Sequence, residues 1–193
     1  MDFLSADPLP ALVAAAHERA DSAGFTLSCE PAVGVYLSRL AAAVPRGGKI
    51  LELGTGAGVG LAWIVHGLGA RTDARVTSID LDPATQALAS RAAWPAHVEL
   101  LVGDGADLVG QLGELDLIFA DAPGGKLVGL ERTIGALAPH GVLLVDDMDL
   151  ALHSDPALRA ALVSVRDQLL ASDVLDCVEL PEGSGMIVAT RRS

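Results

Sequence analysis

Short apolar runs alternate with longer amphipathic stretches over most of this chain. Five such runs are each followed by residues with helical periodicity. Strands that are apolar throughout are buried on both faces, so this alternation predicts a parallel sheet covered by helices. The predicted strands lie at residues 49–53, 75–79, 98–102, 115–120 and 142–145.

Helices are predicted between and before these strands. Asp7 followed by Pro8 is typical of a helix start, and Gly24 of a helix end, so the first helix is predicted over 9–22. The other predicted helices lie at residues 31–44, 59–68, 83–93, 106–112, 127–137 and 156–171. Two helices therefore precede the first strand.

The last part of the chain breaks this alternation. Two strand-like runs, 174–180 and 186–190, flank the turn 181–185, and this spacing predicts a hairpin. The expected fold is α/β: a Rossmann-like, seven-stranded, mostly parallel sheet with helices on both faces. Its last strand is expected to be antiparallel, and two extra helices are expected at the N-terminus.

Composition narrows the class of protein. The 193 residues, 51% of them hydrophobic, suit a single compact domain. The two predicted N-terminal helices are expected to form a helical cap over 1–45 on an α/β core over 46–193. The net charge of −12 disfavours nucleic acid as a partner, because phosphate backbones repel an acidic surface. No apolar run reaches the ~18 residues of a membrane span, and the N-terminus has no signal-peptide pattern. We therefore expect a cytoplasmic protein that binds neither nucleic acid nor membranes.

The first predicted strand ends in a glycine-rich turn that precedes a predicted helix. Gly54, Gly56 and Gly58 lie where the backbone can turn sharply and approach a ligand closely. Nucleotide-binding turns of α/β proteins have this position. The spacing does not fit G-x-G-x-x-G, which is the pattern of dinucleotide-binding proteins. A tight turn that binds no ligand is the alternative.

Acidic residues follow the next two predicted strands. Asp80 ends the second strand, where a carboxylate can accept hydrogen bonds from both hydroxyls of a ribose. Asp104 and Gly105 follow the third strand, where a short polar side chain can meet an adenine edge. Capping of the next helix is the alternative for Asp104. Together, the strand ends predict a nucleoside-containing cofactor more specifically than any one of them does.

Three more aspartates follow the fourth and fifth predicted strands. Asp121 follows the fourth, and Asp146 and Asp147 follow the fifth, so all three carboxylates are expected at one edge of the sheet. Unpaired carboxylates in one crevice repel each other, and a hard divalent cation resolves this repulsion. Oxygen ligands suit Mg²⁺ better than zinc. The sequence thus predicts a metal site, with capping at the strand ends as the alternative.

Lys126 is one of two lysines in the chain and lies five residues after Asp121. Beside a metal ion and a cationic cofactor, a lysine amine can act as a general base. An exposed lysine at the start of a helix is the alternative.

These residues resemble the class I S-adenosylmethionine-dependent methyltransferases, and most closely the cation-dependent O-methyltransferases, which include the catechol and caffeoyl-CoA enzymes. Small bacterial relatives of that group share Leu27 and Ser28, the segment 31–34 and the Asp-Asp-Met sequence after the fifth strand. In the larger family members the lysine follows the metal-binding aspartate by three residues, not five. The matching segments are 50–60, 76–83, 101–108, 115–126 and 137–148.

The resemblance implies a function and a set of site residues. The implied reaction moves a methyl group from S-adenosylmethionine to a hydroxyl of a small molecule, with Mg²⁺ or another divalent cation and in a homodimer. The residues implied to bind the cofactor are Glu52, Gly54, Thr55, Gly56, Gly58, Asp80, Leu81, Asp104, Gly105 and Asp121. The implied metal ligands are Asp121, Asp146 and Asp147, and the implied catalytic residues are Lys126 and Asp121.

Two other functions remain open from the sequence. An oxidoreductase that uses a nicotinamide cofactor would share the α/β architecture, although the glycine spacing and the closing strand pair argue against it. A non-catalytic cofactor-binding or scaffold protein would share it too, because a fold does not fix a function.

Overall fold

A computed structural model describes residues 8–193 of the chain, and its seven strands form one sheet. The strands are β1 (Lys49–Leu53), β2 (Arg75–Asp80), β3 (Val98–Val102), β4 (Leu115–Ala120), β5 (Leu137–Val145), β6 (Leu175–Leu180) and β7 (Met186–Arg191). Their order across the sheet is β3-β2-β1-β4-β5-β7-β6. Strands β1 to β5 run parallel, and β7 runs antiparallel to both of its neighbours. The predicted sheet with an antiparallel last strand is confirmed.

Helices cover the sheet within the described residues. They are α1 (Ala11–Ala23), α2 (Pro31–Ala43), α3 (Val59–Leu68), α4 (Pro83–Ala89), α5 (Gly105–Leu108), α6 (Pro123–Lys126), α7 (Leu130–Gly135) and α8 (Pro156–Leu170). Short 3₁₀ turns lie at Val109–Gln111 and Leu150–Leu152, so the predicted helix over 106–112 is α5 followed by a 3₁₀ turn. None of the helices in residues 8–193 is long and apolar enough to cross a membrane.

The strand order determines which edge of the sheet can bind a ligand. Strand β1 pairs with β2 on one side and with β4 on the other, so the chain reverses its direction across the sheet between them. In open α/β sheets, ligands bind outside the carboxyl ends of the strands at such a switch point. The residues that follow β1 and β4 therefore lie at the expected binding edge.

Two apolar layers, one on each face of the sheet, form the core. Successive side chains of a strand point to opposite faces, so Ile50 and Phe119 belong to one layer and Leu51 and Ile118 to the other. Helices α1, α2 and α3 pack on the first layer, and α8 packs on the second. This arrangement confirms the prediction of helices on both faces.

The two N-terminal helices pack tightly on the rest of the fold. A Cβ at Gly34 would overlap the Trp63 indole, and a Cβ at Gly67 would overlap the Ser38 carbonyl oxygen, so α2 and α3 lie in close contact. The segment 24–30, between α1 and α2, lies over the glycine-rich turn. The predicted division into a cap and a core stays a prediction.

The first helix begins later than predicted. It starts at Ala11 rather than at residue 9, with Pro10 at the N-cap and no hydrogen bond from a capping side chain. The predicted cap, Asp7, lies outside the described residues. Gly24 ends the helix in the left-handed conformation, with φ 67°, as predicted.

Two other predicted helices are shorter for local reasons. Helix α4 ends at Ala89, and the indole Nε1 of Trp94 donates to the Ala89 carbonyl oxygen at 2.9 Å in place of a further helical turn. The predicted helix over 127–137 is reduced to α7. Gly129 precedes α7 in a left-handed conformation with φ 81°, and Leu137 already belongs to β5.

Candidate active site

Main-chain hydrogen bonds join the carboxyl end of β1 to those of β4 and β2 at the switch point. Asp121 N donates to the Leu53 carbonyl oxygen at 2.9 Å, and Gly54 N donates to the Ile79 carbonyl oxygen at 2.8 Å. A Cβ at Gly54, which has φ 102°, would lie 2.7 Å from the Asp121 carbonyl oxygen. Glycine is therefore required where the two strand ends meet.

The glycine-rich turn wraps around the end of β2. Gly56 and Gly58 adopt left-handed conformations, with φ of 55° and 85°, and Val59 begins α3 directly after them. Gly56 N donates to Asp80 Oδ2 at 2.8 Å, and Asp82 N donates to Asp80 Oδ1 at 3.0 Å. Two backbone amides therefore hold the Asp80 carboxylate against the turn.

Glu52 is a buried carboxyl group behind this turn. Ser78 Oγ donates a short hydrogen bond to Glu52 Oε2, and Thr55 Oγ1 lies 2.6 Å from Ser78 Oγ. A Cβ at Gly60 would overlap Glu52 Oε1, so glycine makes room for the carboxyl group. Burial raises the pKa of Glu52 to about 8, against the opposing effect of the bond from Ser78. The Glu52 carboxyl group is therefore mostly protonated at neutral pH.

A cavity of about 190 Å³ lies between the ends of β1, β2 and β3. Leu81 lines it and is 70% exposed. Asp104 and Gly105 also line it, and Asp104 Oδ1 accepts a hydrogen bond from Ala106 N at 2.8 Å as the N-cap of α5. An exposed apolar side chain beside a few polar groups is the usual lining of a small-molecule site.

A second cavity, of about 480 Å³, adjoins the first at Ala122 and Pro123. Four leucines supply the apolar wall: Leu27, Leu127, Leu158 and Leu162. Its polar lining includes Asp121, Lys126, Asp146, Asp147, His153 and Ser184. The structure thus brings both predicted catalytic residues and all three predicted metal ligands to one cavity, beside the predicted cofactor site.

A larger cavity lies elsewhere in the described part of the chain. It measures about 770 Å³ and is formed at the amino ends of β1, β2 and β3, where Lys49, Arg75 and Val98 line it. None of the predicted site residues lies there. Because ligands of open α/β sheets bind at the carboxyl ends of the strands, the two smaller cavities form the candidate site.

The turn after β4 directs Lys126 into the second cavity. Gly125 adopts φ 90°, and Thr133 Oγ1 donates to its carbonyl oxygen at 2.7 Å. Lys126 is only 5% exposed, and its Nζ donates to the Asp146 carbonyl oxygen at 3.2 Å and lies 3.8 Å from Asp147 Oδ2. Lys126 therefore reaches the site although it follows Asp121 by five residues, and the alternative of an exposed lysine is wrong.

Asp146 is buried and already hydrogen-bonded. Ser184 Oγ donates to Asp146 Oδ1 at 2.6 Å, and Asp147 N donates to the same oxygen at 2.7 Å. Burial raises the pKa of Asp146 to about 6, and these two hydrogen bonds limit the shift. Burial, and next the charge of Asp146, raise the pKa of Asp121 well above its usual range. Both carboxyl groups therefore take up a proton more readily than an exposed aspartate does.

The three aspartates do not form the predicted metal site in this arrangement. Within residues 8–193, no group of three or more His, Cys, Asp and Glu side chains is placed to hold a metal ion. One oxygen of Asp146 already accepts two hydrogen bonds, and the Lys126 ammonium lies beside Asp147. Mg²⁺ requires near-octahedral oxygen ligands at about 2.0–2.1 Å. The residues as placed do not fit a Mg²⁺ ion.

The sequence pattern does not point to two residues of this cavity, Ser184 and His153. Ser184 lies in the turn between β6 and β7, and its carbonyl oxygen accepts from Asp149 N at 2.8 Å, which ties the turn to the chain after β5. His153 Nε2 lies 3.0 Å from the Asp147 carbonyl oxygen. The Gly-Ser-Gly sequence at 183–185 is a local signal for a turn, but it does not indicate what the turn contacts.

Comparison with known proteins identifies the family. Residues 51–148 match a family described as a methyltransferase domain. A protein of Mycobacterium avium named "Putative O-methyltransferase" is 36% identical over 195 residues, which cover 94% of this chain and 86% of the relative. The chain belongs to this O-methyltransferase family. A relative of the same description from Mycolicibacterium smegmatis is 34% identical over 201 residues, which cover 94% of the methyltransferase described here and 90% of the relative.

Solved structures share the fold of this methyltransferase. An O-methyltransferase from Bacillus cereus in complex with SAH has a TM-score of 0.80 at 21% identity, over 97% of this chain and 94% of its own. The SAH-bound methyltransferase of Podospora anserina has a TM-score of 0.83 at 19% identity, over 98% and 91%. The Rossmann-like fold and the resemblance drawn from the strand ends are confirmed.

Proposed function

We propose that this methyltransferase moves a methyl group from S-adenosylmethionine to a hydroxyl oxygen of a small molecule. The arrangement of four successive strand ends around adjoining cavities carries the proposal. The glycine-rich turn follows β1, Leu81 follows β2, Asp104 follows β3 and Asp121 follows β4. Structures of this fold with bound SAH support the choice of cofactor.

The residues at these strand ends fit S-adenosylmethionine. Each oxygen of Asp80 accepts one backbone amide and keeps a second lone pair, which suits the two ribose hydroxyls. Leu81 offers an exposed apolar surface to the adenine ring. When bound, S-adenosylmethionine supplies a methyl group on a positively charged sulfur. The residues proposed to hold it are Glu52, Gly54, Thr55, Gly56, Gly58, Asp80, Leu81, Asp104, Gly105 and Asp121.

Asp121 and Lys126 are the proposed catalytic residues. Lys126 Nζ donates to one acceptor and faces a carboxylate, so we assign it as a hydrogen-bond donor to the substrate oxygen instead of the base expected from the sequence. Burial raises the pKa of Asp121, and its carboxylate is therefore a better general base near neutral pH than that of an exposed aspartate. Asp121 therefore takes the proton of the acceptor hydroxyl and later releases it to water.

The volume and lining of the second cavity indicate which kind of acceptor fits it. Its volume of about 480 Å³ suits a small molecule, with the polar groups gathered around Lys126 and leucines forming the apolar wall. Among the described lining residues there is no Phe, Tyr or Trp, so the acceptor packs on aliphatic side chains. The net charge of −12 also disfavours a nucleic acid as the acceptor.

Three expectations lie outside this proposal. Mg²⁺ is left out because the aspartates as placed do not fit it. The homodimer stays a prediction from the resemblance, and the cytoplasmic location stays a prediction from the sequence. No contact in the described site favours the oxidoreductase alternative over methyl transfer.

Thermal unfolding with added ligands tests the proposed function. A ligand present at 100 times its Kd adds about 2.7 kcal/mol to the free energy of unfolding. We expect S-adenosylmethionine and S-adenosylhomocysteine to raise the Tm, and NAD to leave it unchanged.

A matched pair of variants locates the binding. Asp80→Asn should reduce the shift with S-adenosylmethionine, because the amide nitrogen cannot accept a hydrogen bond. Asp116→Asn should keep the full shift, because Asp116 Oδ2 accepts from Lys49 N at 2.8 Å at the opposite end of the sheet. Absence of any shift with S-adenosylmethionine in the wild-type protein would contradict the proposal.

A further inference from the structure

Lys126 provides the positive charge of the acceptor cavity. Among the described residues that line this cavity, it is the sole lysine or arginine. A buried charge persists where it is paired and hydrogen-bonded, and the Asp146 carbonyl oxygen and Asp147 Oδ2 supply these contacts. Four acidic side chains line the same cavity: Glu30, Asp121, Asp146 and Asp147. The lysine thus lies beside Asp146 and Asp147, two of the three aspartates predicted to bind a metal ion.

The Asp146 carboxylate beside this lysine already accepts hydrogen bonds from the protein. Asp146 Oδ1 accepts from Ser184 Oγ at 2.6 Å and from Asp147 N at 2.7 Å. Ser184 is 38 positions away along the chain, so the tertiary fold sets this bond. A divalent ion at Asp146 would have to compete with these donors and would lie beside a buried ammonium group. Like charges repel each other, and burial strengthens this repulsion because it lowers the local dielectric constant.

We propose that the Lys126 ammonium group takes the place of the divalent cation in this methyltransferase, and that the acceptor oxygen binds to it without a metal ion. This inference rests on the proposed function, because it concerns the same acceptor site. An ammonium group has three N–H donors. One is directed to the Asp146 carbonyl oxygen and a second faces Asp147 Oδ2, which leaves a third for the acceptor.

The proton and the electrons of the reaction balance without a metal. The O–H bond of the acceptor breaks, and its proton passes to the Asp121 carboxylate. The electron pair left on oxygen forms the new bond to the methyl carbon, while the pair of the methyl–sulfur bond remains on sulfur. The positive charge of the Lys126 ammonium group stabilises the oxygen as negative charge develops there.

Metal binding provides a test that does not require the acceptor to be known. Chelator-treated full-length protein is titrated with Mg²⁺ and with Mn²⁺ in a calorimeter, with and without S-adenosylmethionine. We expect no binding by the wild-type protein. Lys126→Met should gain divalent-cation binding, because it removes the ammonium and leaves the carboxylates. Lys49→Met, at the chain's other lysine, removes an exposed ammonium at the opposite end of the sheet and should behave as wild type.

A charge-preserving variant separates the role of charge from that of packing. Lys126→Arg should continue to exclude Mg²⁺, and a thermal unfolding transition shows that each variant folds. Methyl transfer from labelled S-adenosylmethionine to a panel of small hydroxylated compounds gives a second readout. Turnover by the wild-type protein should be unchanged in EDTA, and Lys126→Met should lower kcat by about 10²–10³-fold, as for the loss of an oxyanion donor. If no compound in the panel is methylated, the calorimetric result decides alone.

The outcomes separate this inference from the proposed function. Stoichiometric Mg²⁺ binding by the wild-type protein overturns the role given to Lys126. Loss of turnover in EDTA with cofactor binding retained also overturns it, and in both cases the methyl-transfer proposal stands. Failure of S-adenosylmethionine to raise the Tm contradicts the proposed function instead.

Discussion

Glu52 illustrates how one buried side chain links stability to pH. Burial raises the pKa of its carboxyl group to about 8, while in an unfolded chain a glutamate has a pKa of about 4.3. Between these values the folded protein retains a proton that the unfolded chain has released. The contribution of this group to stability therefore falls as the pH rises through that range, by at most about 1.4 kcal/mol per pH unit.

Glu52→Gln should remove this pH dependence. The amide has the shape of a protonated carboxyl group, and its oxygen can still accept the hydrogen bond from Ser78. We expect the free energy of unfolding to decline less steeply from about pH 6 to pH 8 in the variant than in the wild-type protein. Urea unfolding at a series of pH values measures the slope. The exposed Glu99→Gln serves as the control, and an unchanged slope in Glu52→Gln would show that Glu52 is not protonated in the native state.

At the scale of single residues, the position of the site could be predicted but its charge balance could not. Parallel strands bring their carboxyl ends to one edge of the sheet, so Asp80, Asp104 and Asp121 could be assigned to one site from their order alone. The predicted Mg²⁺ site was based on the number of carboxylates, and the groups that bind to those carboxylates in the fold could not be included. Those partners come from contacts that no local pattern encodes, such as the bond from Ser184 and the turn that directs Lys126 inward.

The contact between α2 and α3 shows how a glycine in a helix serves packing between elements. A Cβ at Gly67 would overlap the Ser38 carbonyl oxygen, which belongs to the backbone and cannot rotate away. Alanine favours a helix over glycine by about 1 kcal/mol, but overpacking in a tight core costs about 1–3 kcal/mol. We expect Gly67→Ala to lower the free energy of unfolding, as measured by urea denaturation.

A second glycine provides the matched control for this prediction. Gly135 ends α7, and a Cβ there would meet no atom within 4 Å. Gly135→Ala should be neutral or stabilise the protein by up to about 1 kcal/mol. If Gly67→Ala is as stable as Gly135→Ala, the close contact between α2 and α3 does not constrain the fold.

Strands were easier to predict than helix ends, for physical reasons. Strands β1, β3 and β4 have the predicted bounds, because each is an apolar run that stops at a polar residue or glycine. Helix ends depend on single conformations, such as the left-handed Gly129, and on distant side chains, such as the Trp94 indole at the end of α4. Strand β5 begins earlier than predicted. It includes Pro139 and the left-handed His140 (φ 63°), and because such a sequence is typical of a loop, the pattern indicated a later start.

Across the whole molecule, the titration of carboxyl groups acts on stability in two directions. Hydrogen bonds from Arg71 and Arg166 lower the pKa values of Asp73 and Glu179. Their contribution is present above the pKa of the unfolded chain and is lost as the pH falls, and it is small because these pairs are exposed. The carboxyl groups with raised pKa values act in the opposite direction: Glu52, Asp121 and Asp146.

The buried carboxyl groups should place the most stable pH on the acidic side of neutrality. They retain protons in the folded state that the unfolded chain loses above about pH 4, so stability should decline from about pH 5 to pH 8. The net charge of −12 adds self-repulsion in the same direction, but salt screens this repulsion between exposed groups and not the burial of Glu52. Urea midpoints measured across this range at low and high NaCl separate the two causes. A decline that persists at high salt indicates the buried groups, whereas a midpoint that rises toward pH 8 would contradict the raised pKa values.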